Sequence, residues 1–169
     1  MLHKNNWIMK TLILVRHGKS SWEYRVSDQD RPLQERGITD AHLVSNEFKR
    51  LSENIDSVYS SPANRALHTC MIFLRNFNYP LQNLKVSNEL YDFSGEAVMS
   101  FVKQLDDDLN KVLVFGHNYA LTNIVNQFGN KPIDNVPTSA LVQIRFDVTS
   151  WDTIKTGITE HILIPKQLR

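Results

Sequence analysis

The chain has 169 residues, 41% of them hydrophobic and 22% charged, a profile that fits one soluble globular domain and excludes a disordered, collagen-like or membrane-embedded chain. Its 19 Lys and Arg nearly balance its 18 Asp and Glu, so the formal charge is +1 and no global basic field is available to hold nucleic acid or an anionic membrane surface. The one cysteine, Cys70, excludes an internal disulfide framework and a multi-cysteine zinc site, and it suits a reducing compartment, taken as the cytoplasm.

The apolar run Trp7 to Val15 is broken by Lys10 and is too short to span a membrane, so Lys10 to Val15 reads as a first strand behind an N-terminal extension, residues 1–9. A polar stretch from Arg16 to Pro32 follows. A helix is expected from about Leu33 to Leu51, with Ala41, Val44, Phe48 and Leu51 on one face and Gly37 delaying or kinking its start. Ser57 to Ser60 reads as a short strand that leads through Pro62 into a helix from Ala63 to Phe77. The buried stripe of that helix is Ala66, Cys70, Phe73 and Phe77, and Asn78, Tyr79 and Pro80 end it. A short extended piece near Val86, a loop to Gly95 and a helix from Glu96 to Leu105 come next. Asp106, Asp107 and Asp108 sit at the wrong helix end for the dipole and read as solvated linker. Lys111 to Phe115 is the most strand-like run, followed at once by Gly116, His117 and a helix to Phe128; Ala140 to Asp147 and His161 to Pro165 read as closing strands. The alternation predicts an α/β fold with a mostly parallel sheet, built as a single domain over residues 1–169.

Three strand-to-helix junctions carry cationic or protonatable residues: Arg16 and His17, then Arg65, then His117. In an open parallel sheet with right-handed crossovers these carboxyl ends share one edge, where ligands of such folds bind. Arg65 and the peptide groups around Asn118 fall in first helical turns, whose free N–H groups favour an anion. Two guanidiniums suit phosphate, because each presents a planar fork of donors and stays charged.

Leu14-Val15-Arg16-His17-Gly18, then Lys19-Ser20-Ser21-Trp22, with Ser60-Ser61-Pro62-Ala63-Asn64-Arg65-Ala66 and Gly116-His117-Asn118, resembles the histidine phosphatase superfamily, which includes the phosphoglycerate mutases. Asp30-Arg31-Pro32-Leu33, Arg36-Gly37, the short length and Thr138-Ser139-Ala140 are most similar to the SixA-type phosphohistidine phosphatases. The resemblance implies a three-layer α/β/α, phosphoglycerate mutase-like fold. It implies His17 as a nucleophile that transiently carries the phosphoryl group, with Arg16, Arg65 and His117 holding the oxygens, and no metal or other cofactor. Two neighbouring permanent cations disfavour a charge on the imidazole, so His17 is expected to be neutral, its other ring nitrogen pinned by an acceptor such as the Gly18 carbonyl. A protonated His117 is expected to stabilise the charge that develops on the phosphoryl oxygens.

The leaving group sets the demand for a proton. An alkoxide, whose conjugate acid has a pKa of about 15.7, needs one from the enzyme, whereas imidazole, with a conjugate acid near about 6.5, leaves with little help. In mutase-like relatives a carboxylate after the third strand does this work, and Glu89 is the matching position; for Glu89 a proton donor and a solvated carboxylate are both open readings. The chain departs from the mutase pattern at Glu23, where those relatives carry Asn, and it has His117-Asn118 in place of the His-Asp pair of the acid phosphatase branch. Lys19, Ser20, Trp22 and Arg25 are candidates for a substrate rim, while Arg31 reads as a loop brace paired with Asp28 or Asp30. The expected activity is a cofactor-independent phosphatase acting on phosphohistidine in a protein partner. Two alternatives stand beside it: a phosphomonoesterase for a sugar phosphate or nucleotide, and a module that senses phosphate without turnover. The oligomeric state is not legible.

Overall fold

A computed structural model describes residues 9–51 and 54–169. The expected extension, residues 1–9, lies outside these apart from Met9. Among the described residues six strands, β1 (Lys10–Arg16), β2 (Ser57–Ser60), β3 (Leu84–Val86), β4 (Lys111–Gly116), β5 (Leu141–Phe146) and β6 (Ile158–Leu163), form one sheet in the order β3-β2-β4-β1-β5-β6. The first four are mutually parallel, and β5 and β6 close the sheet antiparallel. Among the described residues five helices complete the fold: α1 (Glu35–Leu51), α2 (Asn64–Phe77), α3 (Glu96–Lys103), α4 (Ala120–Phe128) and α5 (Pro165–Leu168). The expected α/β class and mutase-like layering are those of the structure.

Strand periodicity explains the layers. Side chains alternate across a strand, so Leu12 and Leu14 of β1 with Val112 and Val114 of β4 enter one core, shared with Val98, Met99, Leu121 and Val125 of α3 and α4. Ile13, Val15, Leu113 and Phe115 enter the other, under Ala41, Val44, Phe48, Cys70 and Phe73 of α1 and α2. Both faces of the parallel strands are therefore covered, which is why β1 and β4 read as continuous apolar runs.

The structure corrects several expectations. Helix α1 starts at Glu35, because Leu33 pairs with Ser20 in an isolated antiparallel bridge. Leu51, placed on its buried face, is exposed at the last turn, and Phe77 is only partly buried. Helix α3 stops at Lys103, short of Leu105, and β6 begins at Ile158, three residues earlier than expected. The run Asp106 to Asp108 is more than linker: the Asp107 carboxylate accepts the Trp151 N–H at 2.9 Å and the Ser150 hydroxyl at 2.8 Å. The fully buried Lys10 donates to the carbonyls of Asp107 and Leu109 and to Asn110. Among the described residues no helix is long and apolar enough to cross a membrane.

Candidate active site

The sheet register assembles the site. Arg16 at the end of β1 lies beside Gly116 at the end of β4, and Ser60 at the end of β2 lies beside Phe115. The ladder continues one step past the strands, with the His17 N–H donating to the Gly116 carbonyl at 3.1 Å and the Ser61 N–H to the Phe115 carbonyl at 3.0 Å. Residues 16, 17, 61 and 117 thereby share one edge, and α2, which begins at Asn64, carries Arg65 to it in its first turn.

The hydrogen bonds of His17 determine its tautomer. Its Nδ1 lies 2.7 Å from the Gly18 carbonyl, which only accepts, and its Nε2 lies 3.3 Å from the Arg65 Nε–H, which only donates. The proton therefore sits on Nδ1 and the lone pair on Nε2. Burial, more than the neighbouring charges of His117, Arg65 and Arg16, pushes the His17 imidazole down to about 3, against a hydrogen bond to Gly18 that raises it. The neutrality expected from the cations thus has desolvation as its main cause.

The His117 ring lies 5.2 Å from that of His17, centroid to centroid, with its Nε2 2.7 Å from the Ser61 Oγ. Burial and then Arg65 push His117 down to about 3 as well, so the protonated form expected from the sequence is not the resting one; an anion beside it would raise it again. Among the described residues two polar atoms here are buried without a hydrogen-bond partner: the Nε of Arg16 and the Nδ1 of His117. Native proteins rarely bury such atoms idle, and both belong to the cationic edge that suits a tetrahedral oxyanion. The Arg16 Nη1 donates to the Val136 carbonyl at 2.8 Å, which fixes the fork.

Further side chains and close backbone contacts support the site. The Thr69 hydroxyl accepts the Gly18 N–H at 2.8 Å and donates to the Arg65 carbonyl at 2.7 Å, tying the loop after β1 to α2. Gly18 and Gly37 pack backbone to backbone; a Cβ on Gly37 would stand 2.4 Å from the Lys19 carbonyl oxygen. Tyr91 and Phe93 pack on His117 with centroids at 5.3 and 5.1 Å. Asp28 accepts from Arg65, Arg31 and the Tyr91 hydroxyl. Against a burial that would raise it, the bonds from Tyr91, Arg65 and Arg31 hold its carboxyl well below the usual carboxylate range. Thr69 had a signal, standing four residues after Arg65 on the same helical face; Asp28 and Tyr91 had none in local spacing.

Other candidates fall elsewhere. Glu89 is exposed and lines a surface depression with Tyr59, Lys85 and Phe101; among the described residues no hydrogen bond joins it to the four residues Arg16, His17, Arg65 and His117. Asn118 precedes α4 rather than opening it, and its side chain accepts from Thr122 and donates to Asn135. Ser20 is buried, its hydroxyl accepting from Arg31, whereas Lys19, Trp22 and Arg25 are exposed as a rim requires. Arg31 braces the loop as expected, bound to Asp28 at 3.0 Å and stacked 3.2 Å from the centre of the Trp22 ring.

A neutral imidazole beside two guanidiniums, at the carboxyl edge of a mostly parallel sheet, is an arrangement of the kind that suits a phosphoryl group. The model of the histidine phosphatase superfamily (branch 1) matches residues 12–94. Over those residues the chain is similar to that superfamily. The fold is similar to that of the protein histidine phosphatase SixA complexed with tungstate, with a TM-score of 0.80 and 24% identity over 94% of this chain and 99% of that one. An uncharacterised protein of Mycobacterium tuberculosis is 29% identical over 103 residues, 61% of this chain and 62% of that protein. A 2,3-bisphosphoglycerate-dependent phosphoglycerate mutase of Chlamydia abortus is 30% identical over 116 residues, 67% of this chain and 48% of the mutase. The chain thus spans less than two thirds of the length of these two relatives.

Proposed function

We propose that the protein is a phosphatase that works through a phosphohistidine on His17, with phosphohistidine in a protein as its substrate. The His17 Nε2 lone pair attacks phosphorus while the bond from phosphorus to the leaving group breaks, the leaving group taking the electron pair. Water then attacks the phosphohistidine, the N–P bond returns its electrons to Nε2, and inorganic phosphate departs. Arg16, Arg65 and His117 hold the phosphoryl oxygens throughout, the charge on those oxygens being met by fixed donors rather than by reorienting water. No step calls for a metal.

The observation that carries the substrate class is that, among the described residues, no carboxyl able to give up a proton is bonded to the site. Glu89 lines a separate surface depression, and the carboxyl bonded to Arg65, that of Asp28, is held ionised by its partners. An imidazole leaving group suits such a site; an alkoxide does not. The exposed aromatic surface on the loops of the site, with Trp22 77%, Tyr119 62% and Phe93 47% accessible, supports a protein surface as the partner. The similarity to a phosphoglycerate mutase favours a second reading, a small phosphomonoester.

A panel of phosphohistidine proteins, sugar phosphates and nucleotides, assayed with excess chelator, tests both. The first reading expects kcat/KM on phosphohistidine to exceed that on alkyl phosphates by about a hundredfold or more. Equal rates, or faster hydrolysis of an alkyl ester, would support the second.

A further inference from the structure

Among the described residues Asp28 is the one acidic side chain bonded to the cationic set, and the loop between β1 and α1 presents it in a single turn of 3-10 helix, Asp28–Asp30. It reaches three elements. The Arg65 Nη2 donates to its carboxylate at 2.9 Å and the Arg65 Nη1 to its main-chain carbonyl. The Tyr91 hydroxyl donates to the same carboxylate oxygen, and Tyr91 packs edge-on against His117. Arg31, anchored to Ser20 and Ser21, donates to the other oxygen at 3.0 Å.

We infer that Asp28 is a positioning residue, which sets the Arg65 guanidinium with its Nε–H aimed at His17 and holds Tyr91 against His117. An arginine side chain is long and flexible, and a guanidinium bonded on one edge is fixed in plane and direction. Of the five N–H donors that a guanidinium carries, three are engaged here, by His17 and by the two oxygens of Asp28. Two remain on the Nη nitrogens for phosphoryl oxygens. Asp28 therefore orients Arg65 without exhausting it. The opposing possibility is that Asp28 competes with phosphate for Arg65, and the two differ in sign.

The inference rests on the phosphatase reading, and its test keeps the two separate. Wild type, Asp28→Asn and Asp28→Glu are compared for hydrolysis of a phosphohistidine peptide, and for binding of inorganic phosphate and orthovanadate by calorimetry. The Asp28 side chain is 41% exposed, so both variants should fold, with melting curves as the check. Loss of orientation should lower kcat of Asp28→Asn about ten- to a hundredfold with KM within about threefold. Vanadate, which mimics the five-coordinate transition state, should bind about tenfold more weakly, while phosphate binding changes less than about threefold. Asp28→Glu, which keeps the charge, should recover part of both losses. Wild-type kcat and vanadate affinity in Asp28→Asn, or tighter binding of both anions, would overturn the inference. A wild type that hydrolyses nothing would fail the phosphatase reading instead, and the vanadate comparison would still decide the role of Asp28.

Discussion

The Nε–H of Arg65 points at the Nε2 of His17 across 3.3 Å, so the ring nitrogen that faces the cationic edge is the one that carries the lone pair. On the opposite side the Gly18 carbonyl holds the Nδ1 proton at 2.7 Å. A histidine fixed in this way is ready to attack without first losing a proton.

The pH dependence follows. His17 and His117 are both pushed down to about 3 by burial, against an ordinary 6.5. Their imidazole resonances should stay flat from about pH 8 to about pH 5, a window in which an unperturbed histidine titrates. Because the folded-state pKa lies below the unfolded one, the unfolded chain binds more protons between the two values. Stability is therefore full above 6.5 and is lost as pH falls toward 3. Thermal melts should show that loss shrinking in the variant His17→Asn/His117→Asn, and resonances that titrate near neutrality would contradict the neutrality that burial imposes.

Thr69→Val keeps the volume of the side chain and removes the hydroxyl that accepts the Gly18 N–H. The buried donor left behind should cost about 1–3 kcal/mol of stability, and kcat should fall about tenfold as the carbonyl that pins His17 loosens. Thr69→Ser retains the hydroxyl and should hydrolyse substrate at near the wild-type rate. Equal kinetics for Thr69→Val and Thr69→Ser would argue that the hydroxyl does nothing for His17.

Gly37→Ala reverses an ordinary expectation. Within an exposed helix this change stabilises by about 1 kcal/mol. Here the added methyl would stand 2.4 Å from the Lys19 carbonyl oxygen, against the loop that carries Gly18 and His17. A loss of about 1–3 kcal/mol and a drop in kcat/KM of about tenfold are expected from denaturant melts and steady-state kinetics. A more stable, fully active variant would show that the loop gives way freely.

The strand-end residues were legible because a parallel sheet converts sequence order into one spatial edge: Arg16, His17, Arg65 and His117 meet from three separate junctions. The strands themselves read well, since burial on both faces makes β1 and β4 continuously apolar. What the sequence withheld depends on loop paths. Nothing near residue 28 marks it as the partner of Arg65, thirty-seven positions on, nor shows Tyr91 leaning on His117. Burial as the main cause of the neutral imidazole was hidden too, because depth belongs to the packed fold rather than to neighbouring letters.

Glu89→Gln tests the other side of the same point. Glu89 is exposed and lines another surface depression, beside Lys85 and Phe101, and its loss should change kcat/KM less than about threefold on esters and phosphohistidine alike. A fall of tenfold or more confined to alkyl esters would mean that its loop closes over the substrate and supplies a proton.

The phosphohistidine itself is the most direct measurement. Wild type mixed with a substrate labelled on its phosphoryl group and quenched in base within one turnover should carry acid-labile, base-stable label, and peptide mapping should place that label on His17. His17→Asn should carry none and release no phosphate. Phosphate released at an undiminished rate by His17→Asn, or label mapped to another residue, would contradict the account.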